Sequence, residues 1–184
     1  MNIVCIGDSL TKGYGVNPSK CWVSMLKDSL NMPMVNKGVI GDTSSGILSR
    51  FSRDVKKEET SKVIIMCGTN DALLNRNMKN VFKNINLMVS EATENGITPV
   101  ILFPPKIVKD LAFERWDKKV DYDKSEELLN TLKSLLLDLS REKDIQFIDL
   151  SELMPAEPQY YSDGIHFNDL GNEFVFNILK DKLA

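Results

Sequence analysis

Short apolar runs alternate along this chain with longer stretches in which apolar residues recur at helical spacing. Residues 2–6 form the first run, stopped by Gly7; Trp22, Val23, Met25, Leu26 and Leu30 then follow at intervals of a helix. Residues 34–39 read as a second, weaker strand. Residues 43–53, with Ile47, Leu48 and Phe51, read as a short helix capped by Asp42 or Thr43. The strongest strand signal is Val63-Ile64-Ile65-Met66-Cys67, closed by Gly68. Residues 78–95 put Val81, Phe82, Ile85, Met88 and Val89 on one helical face, and Gly96 supplies a stop. A fourth strand over residues 98–103 ends at Pro104-Pro105, since proline has no N–H for a central ladder. Residues 125–143 carry Leu128, Leu129, Leu132, Leu135, Leu136 and Leu139, a leucine-rich helix. Residues 146–150 form a fifth strand, and residues 169–183 a last helix capped by Asn168 or Asp169.

Strand and helix alternating five times predict an α/β fold: a parallel sheet with helices on both faces, in one domain spanning residues 1–184. No internal repeat, low-complexity tract or linker interrupts the pattern. The irregular region is residues 104–123, whose charged middle carries Phe113, Trp116 and Tyr122. Connections of that length without periodic structure are often lids.

Composition narrows the classes. With 42% hydrophobic and 27% charged residues in 184, the chain is neither largely disordered nor membrane-spanning. A net charge of −3 gives no general attraction to nucleic acid or anionic lipid. Cys5, Cys21 and Cys67 form no CxxC pair, and two lie in apolar runs, so they read as small core residues rather than as a disulfide or zinc set. A short apolar start without a basic segment before it is not an export signal, and the expected location is cytoplasmic.

Four polar or glycine-bearing segments fall at the carboxyl ends of strands, where ligands of open parallel sheets bind. They are Gly7-Asp8-Ser9, Gly38-Val39-Ile40-Gly41-Asp42, Gly68-Thr69-Asn70-Asp71 and Asp163-Gly164-Ile165-His166. A serine nucleophile needs an imidazole to take its proton and a carboxylate to orient that imidazole. His166 is the only histidine, so it is the only available base, and Asp163 lies three residues before it. Singly, each segment has a plainer reading. Ser9 fits a helix cap, Gly41 a turn with positive φ, Asn70-Asp71 a side-chain-to-backbone turn, and Asp163 with His166 a surface ion pair. Asp8, Asp42 and Asp71 also fit a divalent-metal or receiver-like acidic site. The P-loop, the dinucleotide GxGxxG and the GxSxG elbow are absent.

Together the four segments resemble the blocks of the GDSL, or SGNH, hydrolase family. The matching residues are Ser9 in GDSL, Gly41 in NKGVIGDT, Asn70 in GTND and His166 in DGIHFND. The resemblance implies a flavodoxin-like three-layer sandwich with strand order 2-1-3-4-5. It implies Ser9 as nucleophile, His166 as base and Asp163 as its carboxylate partner, with an oxyanion hole from the N–H groups of Ser9 and Gly41 and the Asn70 amide. The implied reaction is hydrolysis of a small-molecule ester or thioester with no metal or organic cofactor. A catalytically silent ligand-binding domain on the same scaffold is the alternative, and no block specifies the acyl group.

Overall fold

The computed structural model describes residues 2–56 and 58–183. In chain order its strands and helices are β1 (Asn2–Gly7), α1 (Ser9–Lys12), α2 (Trp22–Leu30), β2 (Met34–Gly38), α3 (Ser44–Lys56), β3 (Thr60–Met66), α4 (Thr69–Leu73), α5 (Met78–Glu94), β4 (Thr98–Phe103), α6 (Lys109–Arg115), α7 (Tyr122–Glu142), β5 (Gln146–Asp149), α8 (Leu150–Leu153) and α9 (Asp169–Leu183). The strands pair in parallel in the order β2-β1-β3-β4-β5.

The interior strands β1, β3 and β4 are largely apolar because both sheet faces are covered, and side chains alternate between two cores. Val4, Ile6, Val63, Ile65, Ile101 and Phe103 face α3, α5 and α7. Ile3, Cys5, Ile64, Met66, Val100 and Leu102 face α2 and α9. All three cysteines are buried and free. Trp22 locks the second layer: its indole N–H donates to Leu10 O at 2.9 Å, and its backbone N–H to Asn172 Oδ1 at 3.1 Å. Among the described residues, no helix is long and apolar enough to cross a membrane.

The differences from the sequence expectation lie at element ends and in the short helices α1, α4, α6 and α8. β2 stops at Gly38, because Val39 opens a turn in which its O accepts the Asp42 N–H at 3.2 Å. β5 stops at Asp149, whose side chain accepts from Ser151 N–H at 2.9 Å and starts α8. The expected cap of α3 is supplemented from outside: Asp71 Oδ2 accepts the Ser44 N–H at 2.8 Å. Of the two caps proposed for α9, Asn168 acts, accepting from Gly171 N–H at 3.0 Å. Residues 104–123 are not irregular throughout. They contain α6, and α7 starts at Tyr122 after Asp121 caps it through Lys124 N–H.

The register aligns Gly7 with Gly38 on one side and with Met66 on the other. Consequently the chain leaves β1, β2 and β3 at one height, and the segments bearing Ser9, Gly41 and Asn70 emerge side by side.

Candidate active site

The chain turns from β1 directly into α1. Asp8, 1% exposed, caps that helix, its Oδ1 accepting the Leu10 N–H at 2.9 Å. Ser9 is therefore not the cap, and its hydroxyl is available for another partner. That partner is His166: Ser9 Oγ lies 2.9 Å from Nε2, with both residues buried. On the far side of the ring, Nδ1 is 2.7 Å from Asp163 Oδ2. With Nδ1–H given to the carboxylate, Nε2 is left as the acceptor for the serine O–H.

The loop carrying this pair is self-braced. Asp163 Oδ1 accepts the N–H groups of Ile165 at 3.0 Å and His166 at 2.8 Å. An isolated bridge joins Tyr161 and Phe167 across its base. Burial disfavours the charged form of Asp163, but these hydrogen bonds, led by the one from the imidazole, outweigh it and hold the carboxyl below its ordinary range.

Gly41 sits at φ +76°, the left-handed region that a side chain strains to adopt. Among the described residues, neither its N–H nor that of Ser9 is spent on another part of the chain. Asn70, in the first turn of α4, reaches between the two loops. Its Nδ2 donates to Asp42 O at 2.9 Å and approaches Asp8 Oδ2 at 3.3 Å. All five predicted residues thus come to one edge of the sheet.

The acidic-site reading does not fit the partners found. Asp71 holds the Ser44 hydroxyl at 2.8 Å as well as its N–H, and Asp42 Oδ2 accepts from Arg50 Nε at 2.8 Å. Among the described residues, no group of three or more His, Cys, Asp or Glu is disposed to hold a metal ion. Burial pushes the Asp8 carboxyl up to about 7; the Leu10 N–H and the His166 charge oppose that rise, and Asp71 and Asp42 add to it.

Arg50 and Tyr14, beside the site, escaped the sequence reading, which placed a third neighbour, Trp116, in a lid segment. Buried Arg50 on α3 donates to Gly7 O at 2.9 Å, to Lys37 O at 2.8 Å, and to Asp54 besides Asp42. It ties the ends of β1 and β2 to the Gly41 loop. The rings of Tyr14 and Trp116 flank the imidazole, with centroids at 4.7 and 4.9 Å, and both are about half exposed. Trp116 follows α6, which stands on the histidine loop: Val108 N–H donates to Gly164 O at 2.9 Å. No spacing could have announced these contacts, since each joins separate elements. A recess of about 340 Å³ lined by residues 72–75, 119–121, 124 and 125 contains none of the five predicted residues.

A carboxylate, an imidazole and a hydroxyl in one hydrogen-bonded line, at the carboxyl edge of a parallel sheet, is the equipment of a serine hydrolase. Residues 5–174 match the GDSL-like lipase/acylhydrolase family, and the chain belongs to it. It is 27% identical over 131 residues to an arylesterase of Vibrio mimicus, a match covering 65% of this chain and 66% of that protein. It is 29% identical over 105 residues to esterase TesA of Pseudomonas aeruginosa, covering 54% of this chain and 52% of that protein. The chain therefore spans about half to two thirds of these curated relatives. A solved G-D-S-L lipolytic protein of Veillonella parvula shares the fold, with a TM-score of 0.82 at 23% identity over 98% of this chain and 97% of that one. A lipase/acylhydrolase of Enterococcus faecalis gives 0.80 at 24% identity, covering 99% of this chain and 94% of that one.

Proposed function

We propose that this chain hydrolyses carboxylic esters or thioesters of a small acyl group, with Ser9 as nucleophile, His166 as base and Asp163 as the group that orients it. The observation that carries this reading is the unbroken line Ser9–His166–Asp163, at 2.9 and 2.7 Å. Ser9 Oγ bonds to the acyl carbon as its proton passes to Nε2; the C–O or C–S bond then breaks and the same proton leaves with the alcohol or thiol. Water reverses the sequence and frees the acid. The N–H groups of Ser9 and Gly41 and the Asn70 amide are the donors for the oxyanion, each worth about 10²–10³ in kcat. A buried hydroxyl beside an imidazole flanked by two rings leaves a narrow approach, which favours a short acyl chain. The likeness to an arylesterase makes aryl esters suitable assay substrates.

The test is fluorophosphonate labelling with mass spectrometry, alongside hydrolysis of p-nitrophenyl acetate in EDTA. The wild type should label at Ser9 and turn over. Ser9→Ala should lose both, with kcat down on the order of 10⁶. Labelling that persists at another serine would refute the nucleophile. Neither labelling nor turnover in the wild type would leave a silent ligand-binding domain instead.

A further inference from the structure

Beyond these five residues, and resting on the esterase reading, we propose that Asp8 is the positioning residue of the oxyanion-binding amide. It fixes which end of the Asn70 side chain faces the reacting carbonyl oxygen, and yields one amide hydrogen as charge develops there.

A carboxamide has two orientations of nearly equal shape, related by a flip, and only the nitrogen end can donate to an oxyanion. At Asn70 that choice is made by two acceptors carrying no proton for an oxygen to accept when Asp8 is ionised: Asp42 O at 2.9 Å and Asp8 Oδ2 at 3.3 Å from Nδ2. The flipped amide would lose both hydrogen bonds and face its own oxygen toward two others. Neither acceptor is free to move aside. The Asp42 side chain is held by Arg50 and by the Thr43 N–H, and Asp8 Oδ1 is fixed on the Leu10 N–H at 2.9 Å.

The count of hydrogens explains the second half of the role. Nδ2 carries two, and the resting site already offers them two acceptors. An oxyanion is a third acceptor, so one contact must give way, and the longer bond to Asp8 is the weaker. Burial raises the Asp8 carboxyl toward neutrality, against the Leu10 N–H and His166 and with Asp71 and Asp42. With Oδ1 on the Leu10 N–H, a proton on Asp8 would sit on Oδ2 and face Asn70, so the positioning role belongs to the ionised form.

The rival explanation is that Asp8 only caps α1, and two substitutions separate the roles. In Asp8→Ser the hydroxyl is still a good helix cap but too short to reach Asn70. In Asp8→Asn one acceptor oxygen remains for two N–H groups. Asp8→Ser should lower kcat about 10–100-fold with KM within about twofold, less than the loss of a whole oxyanion donor. In an Asn70→Ala background the same change should cost no more than about twofold, because its route of action is gone. An unchanged kcat, or an equal fall in both backgrounds, would overturn the proposal. A readout free of turnover is the Asn70 side-chain ¹⁵N–¹H pair, assigned by its disappearance in Asn70→Ala. It must shift in both Asp8 variants, and an unmoved signal also overturns the proposal. Failure of the esterase reading is separately visible, as a wild type that neither labels nor hydrolyses.

Discussion

Asp8 and Asp163 stand on either side of the serine–imidazole pair, and their surroundings drive them in opposite directions. Asp8 is raised to about 7 from an ordinary 3.8, so the folded chain keeps a proton that the unfolded chain releases. Its contribution to stability is full below the ordinary carboxylate range and is lost as pH rises toward 7. Asp163 is lowered, so its contribution is present above the ordinary range and is lost only as pH falls through the depressed value. Thermal unfolding of Asp8→Asn against wild type should expose the first effect. The difference in Tm should move in favour of the variant from pH 5 to about 7, then level off, since an amide has nothing to ionise. A difference constant over that range would show that Asp8 titrates as an ordinary surface carboxyl. At this scale the sequence was informative where chemistry sits in short blocks: Ser9, Gly41, Asn70 and the three-residue step from Asp163 to His166. Arg50 and Tyr14 were silent, and Trp116 was legible only as part of a lid segment, because their partners lie on other elements.

Long elements were legible and short ones were not. Periodicity needs two turns or more to register, and α1, α4 and α8 have four or five residues each. α6, with seven, was masked by the charged segment around it. Yet α6 braces the site. Gly164 has φ +89°, and a Cβ there would collide with the backbone Ala112 N and lie 2.6 Å from Val108 O, in and just before the first turn of α6. Gly164→Ala therefore has to displace α6 and, with it, Trp116 from the imidazole. We expect a loss of about 1–3 kcal/mol in stability and a fall in kcat/KM of order 10² for a misplacement near 1 Å. Tryptophan fluorescence checks the displacement directly. Of the two tryptophans, Trp22 is fully buried in the core, so a changed emission is that of Trp116. Unchanged emission with unchanged activity would mean that the helix accommodates the methyl group in place.

For the whole molecule, alternation alone predicts a parallel sheet but not its order; the order 2-1-3-4-5 came from the four-block resemblance and is the order found. That order makes β1 an interior strand, paired with β2 on one edge and β3 on the other. Arg50 fastens the β1–β2 side from beneath. Arg50→Met should leave Gly7 O, Lys37 O and the Asp42 carboxylate without their cation, while Asp54 keeps Arg53, costing about 3–5 kcal/mol. A Tm lower by roughly 10 °C in a scanning calorimeter is the expected result, and a loss under about 1 kcal/mol would make the clamp incidental. The interior place of β1 also has a consequence for biosynthesis. It is translated before either strand that flanks it, and its serine precedes the histidine by 157 residues. A growing chain on the ribosome therefore carries an ordinary, unreactive alcohol through most of its synthesis. On the proposed mechanism that alcohol acquires its base only when the His166 loop has emerged and closed over a completed sheet, so partial translation products lack it.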